Sequence, residues 1–308
     1  MVPVSFWFIF HLVLLAFLAL DLGVFHRNPH EVSTREAMIW SVVWIVVALG
    51  FNAGVYHYMG PDRGLEFFTG YVIERALSID NIFVFVVVFS SFSVPAIHQH
   101  RVLVWGILGA LAFRGALIGA GAALLERFHW LTIVFGAFIL ITGVRFFFHS
   151  PEKMDVRKNP VLRLARRFLP MTEEYAGGAF FVKQAGRWVA TPLLLVLLLV
   201  ESVDVAFALD SIPAIFAVTR VPFIVYTSNV FAILGLRASY FLLAALVPRL
   251  HYLSMGLAAV LVFIGIKMLA ERWLSISTGV SLLTVALLLC VSVGASLVAP
   301  PRAGTGQA

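Results

Sequence analysis

The chain of 308 residues is 61% hydrophobic and only 12% charged, where a soluble domain carries roughly 25% charged residues. Too few polar side chains remain to cover a water-facing surface, which excludes a soluble enzyme, a secreted disulfide scaffold and a disordered protein. The formal charge of +6 is read as Lys and Arg kept on the cytoplasmic side of a membrane, with no nucleic-acid partner.

Nine apolar stretches approach the roughly 20 residues that a helix needs to cross a bilayer: 4–25, 38–57, 66–90, 102–124, 129–149, 189–213, 222–247, 253–271 and 275–298. The first lacks both a basic start and a small-residue cleavage site, and is read as an uncleaved span. Only 150–188 is a sizeable polar connection, with Lys153, Arg157, Lys158, Arg163, Arg166 and Arg167. With the N-terminus outside, the inner pieces hold fourteen Lys and Arg and the outer pieces five. That asymmetry predicts an outside N-terminus and a cytoplasmic C-terminus in a bacterial inner membrane. The sole cysteine, Cys290, lies in an apolar run, so neither a disulfide framework nor a thiolate metal cluster is expected.

An internal repeat organises these spans. A shift of 130 residues superposes Glu74 on Asp204 and Asp80 on Asp210. Shifts of 123 and 122 superpose Arg114 on Arg237, Arg127-Phe128-His129-Trp130 on Arg249-Leu250-His251-Tyr252, and Gly143-Val144-Arg145 on Gly265-Ile266-Lys267. Each copy holds three spans, an odd number, so the second copy enters the membrane from the opposite side. The expected fold is an all-α polytopic membrane protein of about nine transmembrane helices with two inverted three-helix repeats. Its divisions are 1–65 (two N-terminal helices), 66–149 (repeat 1), 150–188 (basic cytoplasmic loop), 189–271 (repeat 2) and 272–308 (last helix and tail).

Five carboxylates fall inside the spans of the two repeats: Glu74, Asp80, Glu201, Asp204 and Asp210. An ionised acid at a helix centre costs roughly 2.5–3.5 kcal/mol on insertion scales. Either they pair with Arg75, Arg114 and Arg237 to hold the bundle together, or they line an ion pathway. Asn81 and Ser211, equivalent in the repeat, add neutral oxygens. Asp204 and Asp210 are six residues apart, about 240° on a straight helix, so a break near Pro213 is expected to bring them together. Oxygen donors select hard cations such as Mg²⁺, Ca²⁺ or Mn²⁺, while proton relays use the same acids. His98, His100, His129 and His251 lie in loops or at span ends and are read as interfacial. Asp21 and Asn229 are weaker candidates, for a gate and a ligand. No resident cofactor is expected, and no catalytic signature is present.

The stretches Glu74-Arg75-Ala76-Leu77-Ser78-Ile79-Asp80-Asn81 and Glu201-Ser202-Val203-Asp204-Val205-Ala206-Phe207-Ala208-Leu209-Asp210-Ser211-Ile212-Pro213-Ala214 resemble the signature segments of the TerC/Alx family. The resemblance runs from about Leu18-Ala19-Leu20-Asp21 to Lys267 and includes Tyr226-Thr227-Ser228-Asn229. It implies a non-enzymatic transporter that exports Mn²⁺, with Ca²⁺ or H⁺ open as alternative or counter-ion. The implied metal-handling residues are Glu74, Asp80, Asn81, Glu201, Asp204 and Asp210. The family also includes members linked to tellurite resistance and to supplying metal to exported proteins at the secretion machinery. That leaves an assembly or metal-delivery factor as the alternative, acting through partners on the loop 150–188.

Reporter fusions after residues 30, 160 and 303 should all report cytoplasm. A periplasmic signal at residue 160 would overturn both the topology and the inversion.

Overall fold

The structure, a computed structural model, describes residues 3–20, 33–128, 130–148, 160–184, 186–243, 250, 252–271, 273 and 276–298. It is built from helices. In chain order they are α1 (Val4–Leu20), α2 (Thr34–Met59), α3 (Pro61–Ser91), α4 (Ala96–Arg127), α5 (Leu131–Phe148), α6 (Pro160–Phe168), α7 (Pro192–Phe216), α8 (Pro222–Leu234), α9 (Leu236–Leu243), α10 (Leu253–Ala270) and α11 (Thr278–Val298). An antiparallel hairpin, β1 (Phe181–Gln184) and β2 (Arg187–Ala190), lies between α6 and α7.

Local chemistry sets the helix ends. The Ser33 hydroxyl accepts from the Glu36 amide at 3.2 Å and starts α2, because an N-cap oxygen satisfies an otherwise orphaned donor. Pro61, Pro192 and Pro222 stand in the first turns of α3, α7 and α8, where proline's missing N–H is not needed. Gly60 alone separates α2 from α3, at φ +97°. That left-handed backbone is open to glycine and strained for a side chain.

Among the described residues six helices are long and apolar enough to cross a membrane: α2, α4, α5, α7, α10 and α11. The described part of α1 has 17 residues. The 31-residue α3 carries Asp62, Arg63, Glu66, Glu74, Arg75 and Asp80 along its length. Two expectations about helix continuity are corrected. The helix expected to break near Pro213 is continuous from Pro192 to Phe216. Pro213 removes only the bond to the Leu209 carbonyl, and the helix carries on through that gap to Phe216, so the lost bond does not break it. The interruption instead divides the expected span 222–247, at Gly235 between α8 and α9.

The helices pair across the chain as well as with their sequence neighbours, α2 with α3 and α10 with α11. α3 packs on α8 and α7, α4 on α7, and α5 along α10. α7 and α8 lie deep in the bundle, with Leu193, Val196, Val203, Ala208, Ala214 and Ile215 of α7 almost fully buried. Phe8, Leu12, Leu15, Val46, Leu287, Val291 and Leu297 on α1, α2 and α11 face outward, as the lipid-facing side of a membrane bundle does. Glycines permit the closest approaches, as small residues do between membrane helices. A Cβ on Gly143 of α5 would lie 2.8 Å from the Val262 nitrogen of α10. One on Gly265 of α10 would lie 2.7 Å from the Leu140 nitrogen of α5.

Gly143→Ala and Gly265→Ala should each destabilise the protein by about 1–3 kcal/mol, since neither backbone can yield. Gly50→Ala and Gly54→Ala in α2 meet no atom within 4 Å and should be neutral or slightly stabilising. Thermal unfolding in detergent distinguishes the two sets.

Candidate functional site

The polar centre forms where α3, α4 and α7 meet. Gly70 of α3 lies against Ile215 of α7, and Asn81 of α3 reaches Asp204 of α7, so the two helices run in opposite directions. Gly106 of α4 meets Val200 of α7 through a gap that a Cβ would fill at 3.2 Å. This close approach brings Arg114 of α4 onto both α3 and α7.

Arg114 is 1% exposed and is the largest fully buried side chain among the described residues. Its Nε donates to Asp204 Oδ2 at 3.1 Å and its Nη2 to Asp204 Oδ1 at 3.0 Å, a two-pronged grip. Its Nη1 donates to Glu74 Oε1 and, at 3.2 Å, to Ser211 Oγ. The planar guanidinium suits such a fork, which a lysine could not reproduce. Asn81 Nδ2 completes the cluster with a long 3.4 Å bond to Asp204 Oδ1. Glu74, Asp204 and Ser211 thus converge on one guanidinium, and Asn81 joins them through Asp204.

The remaining acids lie around this cluster. Asp210 accepts from Thr142 Oγ1 of α5 at 3.2 Å and borders the same small cleft as Glu74, Asn81, Arg114 and Ser211. Phe146, Phe207, Leu77 and Leu261 form the cleft's apolar walls. Glu201 turns its carboxylate onto Gly109 of α4, where any side chain would collide with it. Asp80 lies in the helical backbone of α3, and its side chain is outside the described residues, as are Asp21, His129 and His251. Among the described residues no three His, Cys, Asp or Glu side chains are grouped to hold a metal ion. Several oxygens nevertheless stay buried without a partner: Glu74 Oε2, Asn81 Oδ1, Glu201 Oε2 and the whole amide of Asn229 on α8. Buried polar atoms are normally paired, so these mark room for a water or an ion.

Sequence reasoning named the acids and the arginines separately, but not their grouping. It missed Thr142 as Asp210's partner and Gly109 as the seat of Glu201. The short spacing Gly106-x-x-Gly109 was the available signal for close helix approach. A second arginine, Arg75 of α3, fills the α8–α9 break: it donates to Ala232 O at 2.9 Å and Ser239 Oγ at 2.5 Å. A Cβ on Gly235 would strike its guanidinium. Arg237, the repeat counterpart of Arg114, lies with Nη1 3.1 Å from His100 Nε2. A wider polar cleft is lined by Glu66, Thr219, Arg220, Lys267 and Glu271.

The model of the integral membrane protein TerC family matches residues 59–302. An uncharacterized membrane protein of Myxococcus xanthus is 53% identical over 302 residues, 98% of this chain and 95% of its own length. The Escherichia coli K12 protein named "Putative membrane-bound redox modulator Alx" is 47% identical over 285 residues, 90% of this chain and 89% of its own. A membrane protein of Rickettsia bellii is 39% identical over 292 residues, 95% of this chain and 97% of its own. No solved structure matches the chain.

Removing one partner of a buried ion pair leaves a charge uncompensated, at about 3–5 kcal/mol. Arg114→Gln, which strips Glu74 and Asp204 of their shared cation, should lose stability of that order in detergent unfolding, while Glu74→Gln and Asp204→Asn each leave one acid on the guanidinium and should lose less. Glu201→Gln, whose carboxylate has no ionic partner among the described residues, should change it by less than about 1 kcal/mol.

Proposed function

Since the chain belongs to the integral membrane TerC family, we propose that it transports divalent cations, Mn²⁺ foremost, out of the cytoplasm. The observation that carries this reading is the convergence of repeat-equivalent acids and amide or hydroxyl oxygens at the α3–α7 crossing. Oxygen donors in a membrane interior fit a hard cation. The proposed ion-handling residues are Glu74, Asp80, Asn81, Glu201, Asp204 and Asp210. Asp80 and Asp210, equivalent in the repeat, are proposed as paired central ligands, with the other acids as further ligands or steps on the path. No nucleotide-binding motif is present in the sequence, so exchange with protons or an electrochemical gradient drives the ion.

The proposed architecture is nine spans around a three-plus-three inverted repeat, with the N-terminus outside. Reciprocal contacts support it. Gly143 of α5 meets Val262 of α10 while Gly265 meets Leu140, and these pairs exchange under the 122-residue shift. Gly70 meets Ser228 on α8, and the shifts of 130 and 123 carry that contact to Val200 with Trp105, one residue from the observed approach of Val200 to Gly106. Self-complementary pairs of this kind arise from a two-fold relation, and transporter sites lie where such repeats meet.

A second reading is a membrane assembly or metal-delivery factor. The exposed Arg163 and Arg167 of α6 and the exposed Arg187 and Trp188 of the hairpin favour it as a docking surface. The redox role in the Alx name would need another route here than an internal dithiol, because the chain has one cysteine.

Deletion should raise intracellular Mn under Mn load if the protein exports. Asp80→Asn and Asp210→Asn should abolish that export while the protein still inserts, whereas Glu126→Gln and Glu271→Gln at helix ends should be tolerated. Normal export by both aspartate variants would overturn the symmetric site. Replacing 150–188 with the acids intact should abolish only the docking activity.

A further inference from the structure

We infer that the carboxamide of Asn229 is a ligand for the transported cation, supplied to the polar centre by a fourth helix, α8. The inference rests on the transport reading and adds a neutral oxygen donor to the residues proposed there.

Asn229 is 1% exposed, and neither its Oδ1 nor its Nδ2 has a partner among the described residues. Its neighbours behave differently. Thr227 and Ser228 donate to Phe223 O and Val225 O of their own helix, as buried hydroxyls commonly do. Asn229 makes no such bond. An apolar side chain of similar size would fill the position without leaving two polar atoms buried and unpaired, so the amide is retained against stability, as groups at functional sites are.

Helix registers place that amide in the layer of the Arg114 cluster. α4 and α7 run in the same direction, with Gly106 at Val200 and Gly121 at Phe216. α8 runs against them, and its Tyr226 meets Gly115 of α4. Ile118 of α4, Ile215 of α7 and Val225 of α8 belong to one buried apolar cluster. One turn away, in the same direction along all three helices and on the same faces, stand Arg114, Ser211 and Asn229. One turn further, Ala110 of α4 and Ile233 of α8 line a small cavity together with Asp204. Arg114 and Ser211 are already bonded at 3.2 Å; Asn229 is the third polar member of that layer.

α3 gives the same register. A Cβ on its Gly70 would lie 2.9 Å from Ser228 Oγ, and Arg75 donates to Ala232 O, so α3 and α8 run side by side in one direction. Glu74 lies one turn beyond Gly70 on the same face, and its side chain leans back along the helix, which brings it level with Asn229.

The chemistry fits a cation that leaves Arg114 in place. The guanidinium holds Glu74 Oε1, both oxygens of Asp204 and Ser211 Oγ. Glu74 Oε2 stays buried and free. A guest between α3 and α8 therefore meets a carboxylate oxygen and a carboxamide oxygen without displacing the arginine. Hard divalent cations accept both donor types, and their affinity is set by the charge count of the ligands. A carboxamide beside Glu74 adds coordination without the repulsion of another carboxylate, and so keeps the ion releasable.

The test uses the full chain carrying Asn229→Leu, close in size and without polar atoms. Unfolding in detergent is followed across a Mn²⁺ titration, and net Mn²⁺ flux is measured in proteoliposomes. Without Mn²⁺ the variant should unfold at the native temperature or above it. The Mn²⁺ concentrations for half-maximal stabilisation and half-maximal flux should both rise about tenfold or more. Asn229→Asp keeps the oxygen and adds a charge, and should lower the stabilisation midpoint about tenfold. Native midpoints in both variants overturn the inference. So does an Asn229→Leu protein that unfolds earlier at a native Mn²⁺ midpoint, which marks the amide as the seat of a structural water. If Asn229→Leu does not fold, Asn229→Asp decides alone, and a native midpoint overturns the ligand role. Should the native protein carry no Mn²⁺ flux, the transport reading fails, while the detergent titration still decides whether Asn229 binds a cation. A native protein that Mn²⁺ does not stabilise overturns the ligand role as well.

Discussion

Burying ionised groups in a bilayer is expensive, and the whole centre of this molecule is arranged around that constraint. Three helices from both halves of the chain contribute to one ion-paired cluster, Arg114 with Glu74 and Asp204. None of the three charges could sit at that depth alone. The hydroxyl of Ser211 and the amide of Asn81 add neutral partners, so the cluster is held by dipoles as well as charges. The position of α4 is fixed by this requirement: its guanidinium must reach α3 and α7 at once.

That reach depends on backbone proximity. Gly106 and Gly109 let α4 approach α7, and Gly70 lets α3 approach α7 and α8. Gly143 and Gly265 do the same for α5 and α10. In lipid the apolar side chains gain little by leaving their surroundings, so close packing and polar contacts supply the association that water would drive in a soluble protein. The bundle accordingly buries small residues at its crossings and turns its large aliphatic side chains outward.

The break at Gly235 belongs to the same economy of charge. Arg75 donates to a carbonyl near the C-terminus of α8 and to Ser239 on α9. A helix C-terminus carries partial negative charge and unsatisfied carbonyls. A partly buried cation placed there compensates both, which lets an interrupted helix persist inside the membrane.

The sequence by itself determined the membrane class, the family, and the acids and arginines within the spans. The class follows from composition and span length and the family from the resemblance of the stretches around Glu74 and Glu201, all local properties of the chain. It misplaced the helix break, because a proline costs one backbone bond, and whether a helix breaks there is set by the packing around it. It also left open whether the arginines neutralise the acids or stand apart. Only the tertiary structure decided that, placing Arg114 between two carboxylates, Arg75 at Gly235 and Arg237 at His100. Which acid meets which cation depends on helix rotation and crossing depth, fixed by contacts between residues 40 to 164 positions apart, and no local pattern encodes them.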